Sequence, residues 1–211
     1  MTESAAEYWE ERYRAGTNWS GEPNAALVRE IADVTPGSAL DLGAGEGGDA
    51  LWLARRGWTV TAIDISPTAL AIGAAAQSPG DDITWVALDL ADWRPTDRYD
   101  LVTACFLHST IGLPRELVLR RATDAVALGG RLLIVGHSGV PHWVSEEEHG
   151  HEPVELPDPD AMLEALFSDD APTSRDDWTV VTSALVPRPI TAPDGSASSI
   201  TDSVLMLQRT R

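Results

Sequence analysis

The sequence predicts an α/β fold: a doubly wound sheet of seven strands, mostly parallel with an antiparallel last strand, and helices on both faces. Three observations carry it. Short apolar runs alternate with helix-period segments from Ala39 to Gly136, the pattern of βαβ units around a parallel sheet. The first run ends in a glycine turn, Gly43-Ala44-Gly45-Glu46-Gly47-Gly48, that opens a helix. Near the far end, "WTVVTSALV" and "SVLMLQR" flank the turn-rich "TAPDGSASS", a spacing that suits a hairpin and so reverses the last strand.

Each element follows from local chemistry. Ser4 to Arg14 places Tyr8, Trp9 and Tyr13 among charges, as in an amphipathic helix. The Gly-, Pro- and Asn-rich "AGTNWSGEPN" is a loop. "AALVREIADV" carries Leu27, Val28 and Ile31 on one stripe and stops at Pro36-Gly37. Ala39 to Leu42 is the first strand, and Asp49 to Arg56 is a helix closed by Gly57. Trp58 to Asp64 is the second strand. Ser66-Pro67 combines a capping side chain with a proline at the first helical position, opening a helix to Gln77. "ITWVALD" and "YDLVTACF" are strands three and four. A helix from Pro114 to Ala127 is expected to stop at Gly129-Gly130, before the strand "RLLIVG". The polar, acidic "VPHWVSEEEHGHEPVELPDPD" is a long excursion, followed by a short helix from Asp160 to Phe167.

The 211 residues, 43% hydrophobic and 23% charged, suit one globular domain with a core. A net charge of −18 repels a phosphate backbone and the arginines are scattered, so nucleic acid is not an expected partner. No apolar run has the roughly 18 residues a membrane span requires. The first 14 residues lack a basic segment followed by an apolar one, and Cys105 is the single cysteine, so a reducing cytoplasm is expected.

The glycine turn matches the dinucleotide pattern G-x-G-x-x-G by letter. Glycines permit positive φ and close backbone approach, and the helix start that follows offers free N–H groups. Asp64 ends the second strand, where a carboxylate can accept hydrogen bonds from ribose hydroxyls. That acid serves NAD and S-adenosylmethionine alike. Asp41, two residues before Gly43, separates them: a carboxylate disfavours a pyrophosphate and favours an α-ammonium group, which points to S-adenosylmethionine.

"LDLGAGEGGDALWLARRGWTVTAIDIS", "ALDLADW" and "YDLVTACFLH" resemble the successive motifs of the class I S-adenosylmethionine-dependent methyltransferases, from Ala39 to Gly136. "YWEERYRAGTNWSGEPN" is similar to the small-molecule branch that includes the thiopurine and tellurite-resistance methyltransferases. The resemblance implies a Rossmann-like domain over residues 36–211, preceded by a helical lid segment over 1–35. It implies that Asp41, Gly43 and Gly45 line the methionine end with Glu46 close by. Asp64 would hold the ribose, Ile65 would pack near the adenine, and Asp89 and Leu90 would meet the adenine edge. Cys105 would lie near the cofactor through its backbone, and Trp9, Tyr13 and Trp19 would belong to the lid. The acceptor would be a small molecule.

Packing and capping could explain some of these residues equally well. Asp89 could cap a helix, Trp9 and Tyr13 could be core, and Trp93 could cover the adenine or shield the sheet's edge. His108, on the ligand side after strand four, is the candidate general base, or else a cap. His137 and His142 follow strand five on the same side. His149-x-His151 lacks a third metal ligand. A lysine-free chain excludes a Tyr-x-x-x-Lys oxidoreductase pair, although a non-catalytic cofactor-binding domain stays compatible.

Overall fold

The structure, a computed structural model, describes residues 4–16, 20–109, 111–138, 156–168, 171–192 and 194–211. Seven strands form one sheet in the order β3-β2-β1-β4-β5-β7-β6. They are β1 (Ser38–Leu42), β2 (Thr59–Asp64), β3 (Asp82–Ala87), β4 (Tyr99–Cys105), β5 (Val126–His137), β6 (Trp178–Thr191) and β7 (Ala197–Arg209). Strands β1 to β5 pair in parallel. Strand β7 is antiparallel to both β5 and β6 and lies between them.

The helices are α1 (Ala5–Arg14), α2 (Ala25–Glu30), α3 (Gly48–Arg55), α4 (Pro67–Ala75), α5 (Arg115–Asp124) and α6 (Pro159–Leu166). The strand period of two divides the sheet's side chains between two cores. Leu40, Leu132, Ile134, Leu205 and Leu207 face α5 and α6, meeting Val118, Leu119, Met162 and Leu166. Ala39, Leu133, Val135, Val204 and Met206 face α2 and α3, meeting Leu27, Ala50 and Leu53. Trp93 is buried in the first core, so its work is packing. Among the described residues, no helix is long and apolar enough to cross a membrane.

Several boundaries differ from the sequence expectation: α2, expected through Val34, ends at Glu30, and β3 and α4 end two residues early. Helix α5 ends at Asp124, and Gly129 and Gly130 lie inside β5 rather than stopping a helix. The β4–β5 register shifts between Tyr99 and Leu101, and a Cβ on Gly130 would stand 2.9 Å from the Tyr99 carbonyl oxygen. The glycines serve this irregular pairing. The terminal hairpin is also longer than its apolar runs, with β6 continuing through Pro187 and Pro189. Strand β6 is an edge, where a missing N–H costs no ladder bond.

Candidate functional site

In an open parallel sheet, ligands bind beyond the carboxyl ends of the strands where strand order reverses. Here the reversal falls between β1 and β4, and a cavity of about 670 Å³ opens there. It brings together Asp41, Gly43, Gly45, Glu46, Asp64, Ile65, Asp89, Leu90, Cys105, His108, Trp9 and Tyr13. Trp19 lies outside the described residues, as do His142, His149 and His151.

The glycine turn is built against the strand ends. The Gly43 and Ala44 amides both donate to the Ile63 carbonyl at 2.9 Å. Gly43 has φ 76°, and a Cβ there would stand 2.6 Å from Leu107 Cδ1. The Gly45 and Ser66 amides donate to the two oxygens of Asp64, at 2.8 and 2.9 Å. The Ile65 amide also bonds this carboxylate, which retains acceptor capacity for hydroxyls in the cavity. Burial nonetheless raises the Asp64 carboxyl above its ordinary range, against the pull of those backbone bonds.

Asp41 is the outlier. Its Oδ1 accepts from the Thr103 hydroxyl at 2.8 Å, while its buried Oδ2 has no hydrogen-bond partner. Burial, reinforced by the charge of Asp49, pushes its carboxyl up to about 8. Asp49 is raised too, chiefly by burial; its Oδ1 accepts the Asn24 amide at 2.6 Å. The Cys105 thiol donates toward Asp49, and burial together with two neighbouring acids holds it protonated. An unsatisfied buried acid beside a second acid fits a cationic group and opposes a pyrophosphate. The residues therefore suit the α-ammonium of S-adenosylmethionine.

Asp89 caps no helix, since none follows β3; its Oδ1 accepts the Ala91 amide at 2.8 Å in a turn. It still lines the cavity beside Leu90. Helix α1 crosses the opening and is pinned on both sides. On one side Trp9 Nε1 donates to Ser109 Oγ at 3.2 Å. On the other, Glu10 accepts from both the Ser66 and Thr68 hydroxyls at 2.6 Å and from the Thr68 amide at 3.2 Å. The hydroxyl bonds lower the Glu10 carboxyl to about 2, so this clasp holds across the physiological range. Glu10→Ala is expected to speed amide exchange across α1 by about tenfold, with little change in the global melting temperature. Exchange confined to whole-molecule unfolding in the variant would contradict this.

His108 sits in the cavity wall, but its surroundings do not make it basic. Burial, then the Arg115 and His137 charges, lower it to about 4. Its Nε2 lies 3.4 Å from the His137 amide as acceptor.

Several lining residues carried no sequence signal strong enough to name them. Asp49 follows the glycine turn directly. Gly48 brings the start of α3 under the 20–24 loop, where a Cβ would meet the Glu22 carbonyl oxygen at 2.9 Å. Phe106 holds a left-handed φ of 52°, uncommon for a bulky residue. Arg188 reaches in from the hairpin.

An α/β enzyme with a nucleoside-cofactor cavity at its switch point is the class this fold and site define. Residues 39–130 match a family model described as a methyltransferase domain. A 2-heptyl-1-hydroxyquinolin-4(1H)-one methyltransferase of Mycobacteroides abscessus is 31% identical over 173 residues, covering 70% of this chain and 75% of the relative. TehB from Haemophilus influenzae superposes with a TM-score of 0.68 at 18% identity, over 96% of this chain and 67% of that one. The N-methyltransferase NodS from Bradyrhizobium japonicum, solved with S-adenosyl-L-homocysteine, gives 0.63 at 15% identity over 99% and 90%. The chain belongs to the methyltransferase-domain family, the class I S-adenosylmethionine-dependent methyltransferases.

Proposed function

We propose that the cavity binds S-adenosylmethionine with its methionine end at Asp41, Gly43 and Gly45, and passes the methyl group to a small, largely apolar acceptor. The observation that carries the reading is the unpartnered, buried Asp41 Oδ2 beside Asp49. An incoming ammonium satisfies both acids. Asp64 accepts the ribose hydroxyls, and Asp89 with Leu90 and Ile65 borders the adenine. The segment 1–35 serves as the lid, with Trp9 and Tyr13 over the cofactor.

The bound cofactor supplies a methyl group already activated on a sulfonium. The protein's part is to hold the acceptor in line and to exclude water. Leu90, Phe106, Leu107, Ile111 and Leu113 give the cavity an apolar wall. The M. abscessus relative is named for a hydroxyquinolinone, a flat body with an alkyl chain and an N-hydroxyl group, and this wall suits a body of that kind.

Calorimetric titration with S-adenosylmethionine and S-adenosylhomocysteine is the test of cofactor binding. Absence of binding by both would end the proposal. Acceptors are then compared by S-adenosylhomocysteine formation, starting with 2-heptyl-1-hydroxyquinolin-4(1H)-one.

A further inference from the structure

We infer that His137 and Asp202 form a proton-accepting dyad at the acceptor end of the cavity, and that the acceptor atom is a hydroxyl oxygen. This rests on the methyl-transfer reading above. His137 ends β5, one strand beyond Cys105, and the antiparallel register puts Asp202 of β7 directly opposite it. His137 and Arg188 both line the cavity, while Asp202 lies buried behind them.

Asp202 Oδ1 is 3.5 Å from His137 Nδ1. Arg188 grips the same carboxylate in a fork, with Nε to Oδ2 at 2.6 Å and Nη2 to Oδ1 at 3.2 Å. Burial acts to raise the Asp202 carboxyl. The hydrogen bonds from His137 and Arg188 and the Arg188 charge outweigh it and hold the carboxyl below its ordinary value. An imidazole whose Nδ1 faces an ionised carboxylate carries its proton there and presents the Nε2 lone pair. The ring plane is fixed as well. Phe106, in its left-handed backbone, stacks on His137 with centroids 4.4 Å apart, and Arg188 covers Phe106 at 5.4 Å.

The other charged groups facing His137 do not compete for this role. His108 lies with its ring centroid 5.8 Å away and is lowered to about 4. Arg115 is engaged by the Leu107 carbonyl oxygen at 3.0 Å and carries no lone pair to accept a proton. The base is therefore His137, with Asp202 as its positioning residue; the hydrogen bond from His137 itself, then those from Arg188, keep Asp202 ionised.

A base at this point defines the acceptor. An aromatic amine or ring nitrogen already has a free lone pair, a thiol ionises near neutrality, and the apolar wall of the cavity disfavours a charged alkylammonium. A phenol-like hydroxyl, with a reference pKa of about 10, is the group that needs its proton removed. The hydroxyl proton passes to Nε2 as the oxygen lone pair bonds the methyl carbon. The methyl–sulfur bond breaks with its pair on sulfur, the sulfonium becomes a neutral thioether, and the imidazolium returns its proton to water.

The test reads the ring directly. Nitrogen-15 spectra of histidine-labelled protein, without acceptor, are expected to show neutral His137 as the Nδ1–H tautomer. Asp202→Asn, whose amide can donate or accept, is expected to give a mixture. A dominant Nε2–H tautomer, or one unaltered in Asp202→Asn, overturns the dyad. His137→Gln is expected to keep S-adenosylhomocysteine affinity within about twofold. Its kcat on 2-heptyl-1-hydroxyquinolin-4(1H)-one is expected to fall by about 10²- to 10⁴-fold. An unchanged kcat also overturns it. Failure of the unmodified protein to bind S-adenosylhomocysteine would instead defeat the methyl-transfer reading.

Discussion

Asp64→Ala is expected to weaken S-adenosylmethionine binding by about 100-fold or more. The carboxylate has two jobs. It receives the Gly45 and Ser66 amides, which hold the glycine turn against the end of β2. In the proposed complex it also offers its remaining lone pairs to the ribose hydroxyls. A hydrogen bond to a charged group contributes about 1.5–3 kcal/mol, and two bonds of this kind exceed the 2.7 kcal/mol that corresponds to roughly 100-fold. Removing the side chain also leaves two buried amides without acceptors, so the turn loses its shape. Asp64→Asn separates the two jobs: it retains one acceptor oxygen and is expected to fall between the wild type and alanine. Calorimetry with S-adenosylmethionine decides it, and wild-type affinity in Asp64→Ala would remove the residue from the site.

Asp41→Asn is expected to act in opposite directions on stability and on binding. Its carboxyl, raised from 3.8 to about 8, takes up a proton at pH values where the unfolded chain has released it. Between those values the folded protein binds more protons, so its stability falls as pH rises through the window. Asparagine has no charge to desolvate. The variant should therefore melt higher than wild type near pH 8, and its melting temperature should depend less on pH. Cofactor binding should weaken by about tenfold or more, because the ammonium loses a charged partner. In the wild type, affinity should rise as pH increases toward 8, with a proton released on binding. Calorimetry in buffers of different ionisation heat measures that proton. No release, together with a variant that melts lower, would place the charge of Asp41 outside cofactor recognition.

Much of this site was legible because its residues sit at chain positions with distinctive local chemistry. Acids at the ends of three successive strands, and glycines after the first, can be read from spacing; the three acids line one cavity with Gly43, Gly45 and Gly48, while Gly47 packs against Trp85. Trp9 and Tyr13 could be placed on one helix face but not over a cavity, since core packing produces the same stripe. Asp202 and Arg188 were out of reach for a different reason. They meet His137 only through the register of two long antiparallel pairings, and no local pattern encodes that register. His108 shows the reverse limit. Its position after β4 was legible, but its basicity depends on burial and on Arg115, which belongs to a different element. Gly129 and Gly130 misled because a glycine pair closes a helix and relieves an irregular strand pairing equally well.

The placement of β7 between β5 and β6 also sets the order in which the sheet can close during synthesis. Strand β6 leaves the ribosome first but has no neighbour to join until β7 follows. Until then β5 presents an open edge, with Leu133, Ile134 and Val135 unpaired on that side. An exposed apolar edge is a template for pairing with another chain. A chain that has not yet added β7 therefore carries an aggregation-prone edge on β5 and lacks the wall that holds Arg188 and Asp202.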